Sequence, residues 1–350
     1  MKALRLSSMW AAAVVVLPLA ACGGGDTPQA GSAADNSDNA LISVTNCGID
    51  YHLDSPVRRA VTLEQGQTET LLALGVSEQM AGTSHKKDVI RPEWQEAFDS
   101  VPVLSAEPAT NEQIRDADAD FIYSGFASNY TRESAGDRQE WQDLGVVAYL
   151  TNTECREVDD NAGVPAFELM KKDYRQLGAF FDKADRAEEL IAEQDRVVRH
   201  AQQVAEKIDG SPSIALFYSS YEGAPYIAGR TSLAQDMFEL LGARNVFEDV
   251  EEDWPTVSWE AFADRDPDVI VLADLAGRGK PGDTYQEKIA ELENNPATKN
   301  LRAVQGKRYI VVPAIGLTPN VRAPEVLEVL AGALADGVDG LTGATATGKL

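Results

Sequence analysis

The 350-residue chain is poor in positive charge, cysteine and histidine. Lys and Arg number 31 against 56 Asp and Glu, a formal net charge of −25. No basic face is left to neutralise a phosphate backbone, which excludes nucleic acid as a partner. The same acidic balance favours solubility and gives a surface able to dock on basic sites of another protein. The three histidines, His52, His85 and His200, are scattered, and none belongs to an HExxH motif. There is no GxSxG, no GxGxxG is expected after a strand, and "GATATGK" (Gly343 to Lys349) runs into Leu350 where a phosphate loop needs Ser or Thr. Nothing assembles a nucleophile with a base, so the chain reads as a binder and not as an enzyme. Neither Cys47 nor Cys155 lies in a CxxC or a Cys/His cluster, which excludes zinc and dithiol redox chemistry.

Long apolar runs are missing too. Met9 to Leu19 is almost wholly apolar but falls short of the about 20 residues that span a bilayer. Preceded by Lys2 and Arg5, it has the layout of a secretory signal. The string Leu19-Ala20-Ala21-Cys22 resembles a bacterial lipobox. That resemblance implies a signal over residues 1–21, acylation of Cys22, and an exported chain held by lipid on the outer face of the cell membrane. Gly23 to Ala40 is rich in Gly, Ala, Asp, Asn and Ser and has no aromatic residue. It buries too little apolar surface to offset its ordering entropy, so residues 22–45 are expected as a flexible tether. With Cys22 committed to lipid, Cys47 and Cys155 are expected to form a disulfide in the exported domain.

Beyond the tether the chain alternates strands and helices. "RAVTL" (Arg59 to Leu63), "FIYS" (Phe121 to Ser124) and "VVAYL" (Val146 to Leu150) read as buried strands, with helical material between them. "SIALFYSS", "DPDVIVLAD" and "GKRYIVVP" repeat that grammar in the second half. Between the halves, apolar residues recur at helical spacing from Pro165 to Ile208, with an interruption at Asp182 to Asp185 and a restart capped by Asp185 and Glu188. The reading is an α/β chain: two Rossmann-like lobes with mainly parallel sheets, joined by one long rigid helix, with a ligand cleft between them. The lobes are placed at 46–164 and 209–340, the helical connector at 165–208, and a disordered tail at 341–350.

"PVRRAVTLEQGQTETLLALGVSEQMAGTSH" resembles the opening of class III solute-binding proteins of ABC importers. "AGRTSLAQDMFELLGARNVFEDV", "VSWEAFADRDPDVIVLAD" and "AVQGKRYIVVP" resemble later segments of the same family, so the likeness runs from about Asp54 to Gly337. The resemblance implies capture of iron–siderophore complexes, haem or cobalamin and delivery to an ABC permease dimer with its ATPase. It further implies a monomer without a cofactor of its own. It also implies that each lobe docks on permease arginines through an exposed carboxylate: Glu69 in the first, and Glu239, with Asp236 as the alternate, in the second.

Loops after the carboxyl ends of the strands are where ligands sit in such lobes. They place Glu64 and Gln65 at the cleft, with Phe126, Tyr130, Tyr218, Tyr221, Tyr226 and Trp254 as aromatic walls for a large, partly apolar chelate or macrocycle. Each aromatic alone is as readily core packing; their clustering at strand ends carries the reading. Arg278 and Arg322 are basic residues of mouth loops, suited to ligand carboxylates or phosphates or to structural ion pairs. His85 has no second His, Cys or Met nearby, so no direct metal ligation is expected and the metal arrives already chelated. A ferric siderophore is the expected cargo. "YIVVPAIGLTPNVR" also resembles a branch proposed to carry an anionic deazaflavin precursor, and a non-transport surface lipoprotein is the remaining class.

Overall fold

The computed structural model describes residues 41–345 and 348–349; the expected signal segment, Cys22 and the expected tether through residue 40 lie outside the described residues. The described chain opens with an antiparallel hairpin, β1 (Ile42–Asn46) and β2 (Ile49–Leu53). The first lobe is β3 (Ala60–Thr62), α1 (Gln65–Leu74), β4 (Met80–Ser84), α2 (Pro92–Asp99), β5 (Val103–Ser105), α3 (Asn111–Asp116), β6 (Phe121–Ser124), α4 (Arg138–Asp143) and β7 (Val147–Leu150). Two helices follow, α5 (Ala166–Phe181) and α6 (Ala184–Ala205). The second lobe starts with β8 (Ser213–Tyr221), β9 (Ala224–Ile227), α7 (Leu233–Leu240), β10 (Arg244–Asn245), α8 (Trp259–Asp264) and β11 (Val269–Asp274). It ends with α9 (Tyr285–Asn294), α10 (Arg302–Gln305), β12 (Tyr309–Pro313), α11 (Ala323–Ala335), β13 (Leu341–Thr345) and β14 (Gly348–Lys349).

The first sheet is parallel in the order β5-β4-β3-β6-β7. The second is parallel along β10-β8-β11-β12-β13, with β9 and β14 added antiparallel. Strands buried on both faces need near-continuous apolar runs. "VIVLAD" of β11 and "YIVVP" of β12 are such runs, buried at every position. The two-lobed α/β expectation is borne out.

Both lobes use one construction. "TNEQIRDADADFIYS" from Thr110 and "SWEAFADRDPDVIVL" from Ser258 correspond residue for residue. In each, the leading hydroxyl accepts a bond from the amide three residues on, Gln113 or Ala261, and caps a six-residue helix. Ile114 and Phe262 are the buried residues of those helices. Asp120 then accepts the Arg58 and Arg59 amides at 2.9 Å, and Asp268 accepts the Ser213 amide at 3.0 Å, fixing where the neighbouring strand begins.

The connector follows the sequence reading with one correction. α6 has 22 residues, about 33 Å at a rise of 1.5 Å. It begins at Ala184 and not after an Asp185 cap: Asp182 closes α5 in a left-handed conformation (φ 55°), Lys183 is the uncapped N-cap, and Asp185 lies in the first turn. A Cβ on Gly178 would lie 2.7 Å from that of Ala187, so the glycine is what lets α5 pass so close to α6. α6 packs against α5, α11 and α1, and so against both lobes. One apolar core accordingly runs from Phe121 and Phe180 through Ile191 to Leu216, Val271 and Leu330. The described residues form a single compact unit.

Cys47 and Cys155 are bonded, as the cysteine count implied; they are 108 positions apart in sequence, with Cα atoms at 5.6 Å. The chain-entropy model assigns a loop of that size about 4–5 kcal/mol before native strain. Two boundaries are corrected. Residues 42–45 belong to β1 (Ile42–Asn46) and not to the tether. Residues 341–345 are a strand and not a disordered tail: β13 pairs with β12 from Tyr309↔Leu341 to Val311↔Gly343, which satisfies backbone groups that β12 would otherwise leave open.

A candidate cleft, joined at its floor and free at its mouth

Residues just past β3, β6, β11 and β12 line the meeting of the two lobes, where sheets of this kind hold ligands. The floor is built by α1, whose residues are buried on every side, polar ones included. Gln65 Oε1 accepts the Lys87 and Asp88 amides at 2.8 and 2.7 Å, and its Nε2 donates to Glu69 Oε1 at 2.9 Å. Thr68 bonds within the first lobe, to Thr62 and Thr83, whereas Gln67, Glu69 and Thr70 reach across to the second lobe. Gln67 Nε2 donates to the Pro319 carbonyl at 3.2 Å, and the Val321 amide donates to Thr70 Oγ1 at 3.4 Å. Arg322 Nη1 donates to Glu69 Oε2 at 3.2 Å, with side-chain exposures of 4 % and 0 %. Arg322 Nε also donates to Glu325 at 3.1 Å, and Glu325 pairs with Arg91 of the first lobe. Burial pushes the Glu69 carboxyl up while Arg322 pulls it back. A further cross-lobe pair, Arg156 to Asp236 at 2.7 Å, lies beside Phe126 and Trp254.

The mouth is different. Phe126, Tyr218 and Trp254 form its walls, with the Tyr218 ring tilted against Trp254 at 4.8 Å and edge-on to Tyr226 at 6.0 Å. Glu64 stands behind this wall: its carboxylate accepts from Ser124 Oγ at 2.9 Å, the Gly125 amide at 3.0 Å and Asn129 Nδ2, and so fixes the loop that carries Phe126. Burial pushes that carboxyl up to about 7. Glu154, which accepts the Ala127 amide at 2.9 Å, is pushed to about 7 by burial, with Asp253 of the opposite lobe adding to the shift. On the other flank Lys87 lies 6.0 Å over the Phe126 ring. His85 sits 3.8 Å from Glu107; burial, with Lys87, Lys280 and Arg278 around it, holds its imidazole down at about 3 and therefore neutral. Among the described residues no group of three or more His, Cys, Asp or Glu is placed to hold a metal ion. The enclosed space is about 30 Å³, room for one or two waters against the ~300–1,000 Å³ of a typical ligand site. A ligand of ordinary size does not fit that space as it stands.

The expected site residues divide accordingly. Glu64, Gln65, His85, Phe126, Tyr218, Tyr226, Trp254 and Arg278 are gathered around the cleft. Tyr130 is not: it is 8 % exposed, and its hydroxyl donates to the Ile122 and Tyr149 carbonyls inside the first lobe. Tyr221 is 62 % exposed next to the β8–β9 turn. Arg322 is locked in the floor and not in the mouth. Glu69 is fully buried, so it cannot be an exposed docking carboxylate; Asp236 is engaged by Arg156 and the Ala166 amide, while Glu239 is exposed. Lys87 and Lys280 were missed. Lys87 lies two positions past the expected loop edge at His85. Lys280 lies in "GRGKPG" (Gly277 to Gly282), a glycine-rich GxGxxG string directly after β11 that was the available signal. The string follows β11, against the expectation of none after a strand, but α9 begins only at Tyr285, so it is a mouth loop and not a turn leading straight into a helix.

A family profile described as periplasmic binding protein matches residues 61–315. A vitamin B12-binding protein of Vibrio cholerae serotype O1 is 24% identical over 244 residues, 69% of this chain and 79% of that protein. A periplasmic binding protein from Veillonella parvula has a TM-score of 0.70 at 27% identity, covering 84% of this chain and 97% of its own. A protein from Saccharomonospora viridis, described as an ABC-type Fe3+-hydroxamate transport system, has a TM-score of 0.68 at 25% identity, covering 85% and 99%.

Proposed function

The chain belongs to the periplasmic binding protein family, and from that footing we propose that it is the substrate-binding lipoprotein of an ABC importer, taking a metal chelate outside the membrane and handing it to a permease. The observation that carries this reading is the cleft at the strand ends of two parallel-sheet lobes, walled by Phe126, Tyr218 and Trp254. Lobes joined by a shared core lose little to ordering when a ligand seats, which favours affinity. The work is binding without turnover. An iron–siderophore complex is the cargo the reading favours, ahead of cobalamin, haem or a deazaflavin precursor. The test is a tryptophan-fluorescence titration of the chain beginning after Cys22 with ferric hydroxamates, ferric catecholates, haem, cobalamin and a deazaflavin, with inner-filter controls. Saturable quenching by one class supports the reading; no binding across the panel overturns it. Acylation of Cys22 is read out by the mass of the membrane-bound form.

Permease docking needs one exposed carboxylate on each lobe, and Glu69 does not supply it. Glu112 and Glu260 do: both are exposed, and they occupy the same position of the duplicated helix, the second residue of α3 and of α8. We assign them the docking role, with Glu239 as the alternative on the second lobe. Glu112→Lys combined with Glu260→Lys is expected to abolish uptake in cells while leaving cargo affinity within twofold; undiminished uptake contradicts the assignment.

A further inference from the structure

The hydrogen-bonding groups of the mouth are unevenly engaged. Its carboxylates are occupied within the protein. Glu64 holds the 124–129 loop, Asp274 accepts the Tyr285 amide at 3.1 Å, and Asp88 accepts the Val89 amide at 2.8 Å. Asp283 accepts Arg278 Nε at 2.9 Å and the Lys280 amide at 2.9 Å. Its donors are the groups left over. Lys87 Nζ has no hydrogen-bond or ion-pair partner among the described residues, although the side chain is drawn in over Phe126. The Tyr218 hydroxyl and Arg278 Nη1 likewise find no acceptor among them. Lys280 Nζ reaches only Glu107, at 3.9 Å, on the exposed rim.

These donors come from both lobes and are brought together by a close contact. A Cβ on Gly277 would lie 2.6 Å from the Asp88 Cα and 2.8 Å from the Lys87 carbonyl, so only glycine lets the 276–282 loop rest on the 87–88 segment. That contact sets Lys87 of the first lobe beside Arg278 and Lys280 of the second, like charges facing across the opening. A chain of net charge −25 repels anions at long range, so a local set of free cations is what an anionic ligand requires.

We propose, resting on the transport reading above, that the cargo is an anionic, oxygen-rich chelate whose negative charge lies between Lys87 on one lobe and Arg278 and Lys280 on the other. Its oxygens accept from Lys87 Nζ, Arg278 Nη1 and the Tyr218 hydroxyl, and its charge replaces repulsion across the mouth by attraction to both sides. The specificity-determining residue is Lys87, because it alone among the three cations has no carboxylate partner.

The experiment titrates the full chain in detergent, following tryptophan fluorescence, with iron(III) tris-catecholate and iron(III) citrate as anionic probes and an uncharged iron(III) trihydroxamate and cyanocobalamin as neutral ones. At least one anionic probe is expected to bind about tenfold or more tighter than either neutral one, and its affinity is expected to fall with added salt. Lys87→Gln is expected to cost that probe about tenfold, the loss of a charge-assisted hydrogen bond, and to leave the neutral probes within twofold. Lys299→Gln, an equal charge change outside the cleft, is expected to change neither. Equal or tighter binding of a neutral probe, or indifference of the anionic probe to Lys87→Gln in a variant that melts normally, overturns the anionic assignment and leaves the receptor reading standing. Failure of every probe to bind overturns the chelate reading itself, and this inference with it.

Discussion

The floor and the mouth of the cleft face the same two lobes and are built from opposite materials. In the floor, polar groups from both lobes meet and satisfy one another out of water: Glu69 with Arg322, Gln67 with Pro319, Thr70 with Val321. In the mouth, the carboxylates are engaged locally and the cations are left with free valences. A buried polar network that is fully satisfied fixes geometry; an incomplete one invites a ligand. The floor thus holds the lobes in one relation, and the mouth is where binding is expressed. Floor substitutions should cost stability, and mouth substitutions should cost affinity.

The largest effect expected is at Glu69. Glu69→Ala leaves the Arg322 guanidinium buried with its cross-lobe partner gone, and a loss of about 3–5 kcal/mol in denaturant unfolding is expected. The apolar double variant Glu69→Leu with Arg322→Met should recover most of it; a single variant as stable as wild type would remove the floor from the account.

Next is the pH dependence carried by Glu64. Its carboxyl is raised by burial from an ordinary 4.5 to about 7, so the folded chain binds this proton more tightly than the unfolded chain. Stability from this group is complete below pH ~4.5 and is lost as pH rises through about 7. Glu154, also near 7, and Asp173, pushed to about 6 by burial between Tyr149 and Asn152, act in the same direction. Unfolding midpoints are expected to fall from pH 5 to pH 7.5, by an amount on the order of 1–3 kcal/mol for Glu64. Glu64→Gln should flatten that slope; an unchanged slope would contradict the assignment.

How much of this contrast was legible beforehand follows from where the partners lie in sequence. The sheets were readable because "VIVLAD" and "YIVVP" carry their own burial in an unbroken apolar run, and the connector because its apolar residues recur at helical spacing. "TETLLALG" was readable as a helix but not as a floor. Its polar residues look solvated until Arg322, 253 positions away, is set against Glu69. The same blindness put Arg322 in the mouth and Tyr130 in the wall, since a buried ion pair and a core hydroxyl use the same residue types as a ligand site. Lys87 was passed over because it lies two positions past the loop edge at His85, and only the fold sets it over Phe126.

Smaller effects sharpen the contrast from the mouth side. Lys87→Gln removes an ammonium that burial already disfavours, so folding stability should be unchanged or higher by less than about 1 kcal/mol while anionic affinity falls. Tyr221→Ala, at an exposed position near a turn, should leave stability within about 0.5 kcal/mol and affinity within twofold.

Native-state hydrogen exchange tests the division between floor and mouth most directly. Amides of α1, of residues 87–88, which donate to Gln65, and of residues 320–322 are expected to exchange only through near-global opening, whereas those of residues 276–282 should exchange orders of magnitude faster through local opening. Equally fast exchange in α1 would mean that the lobes part at the floor, and the account would be wrong.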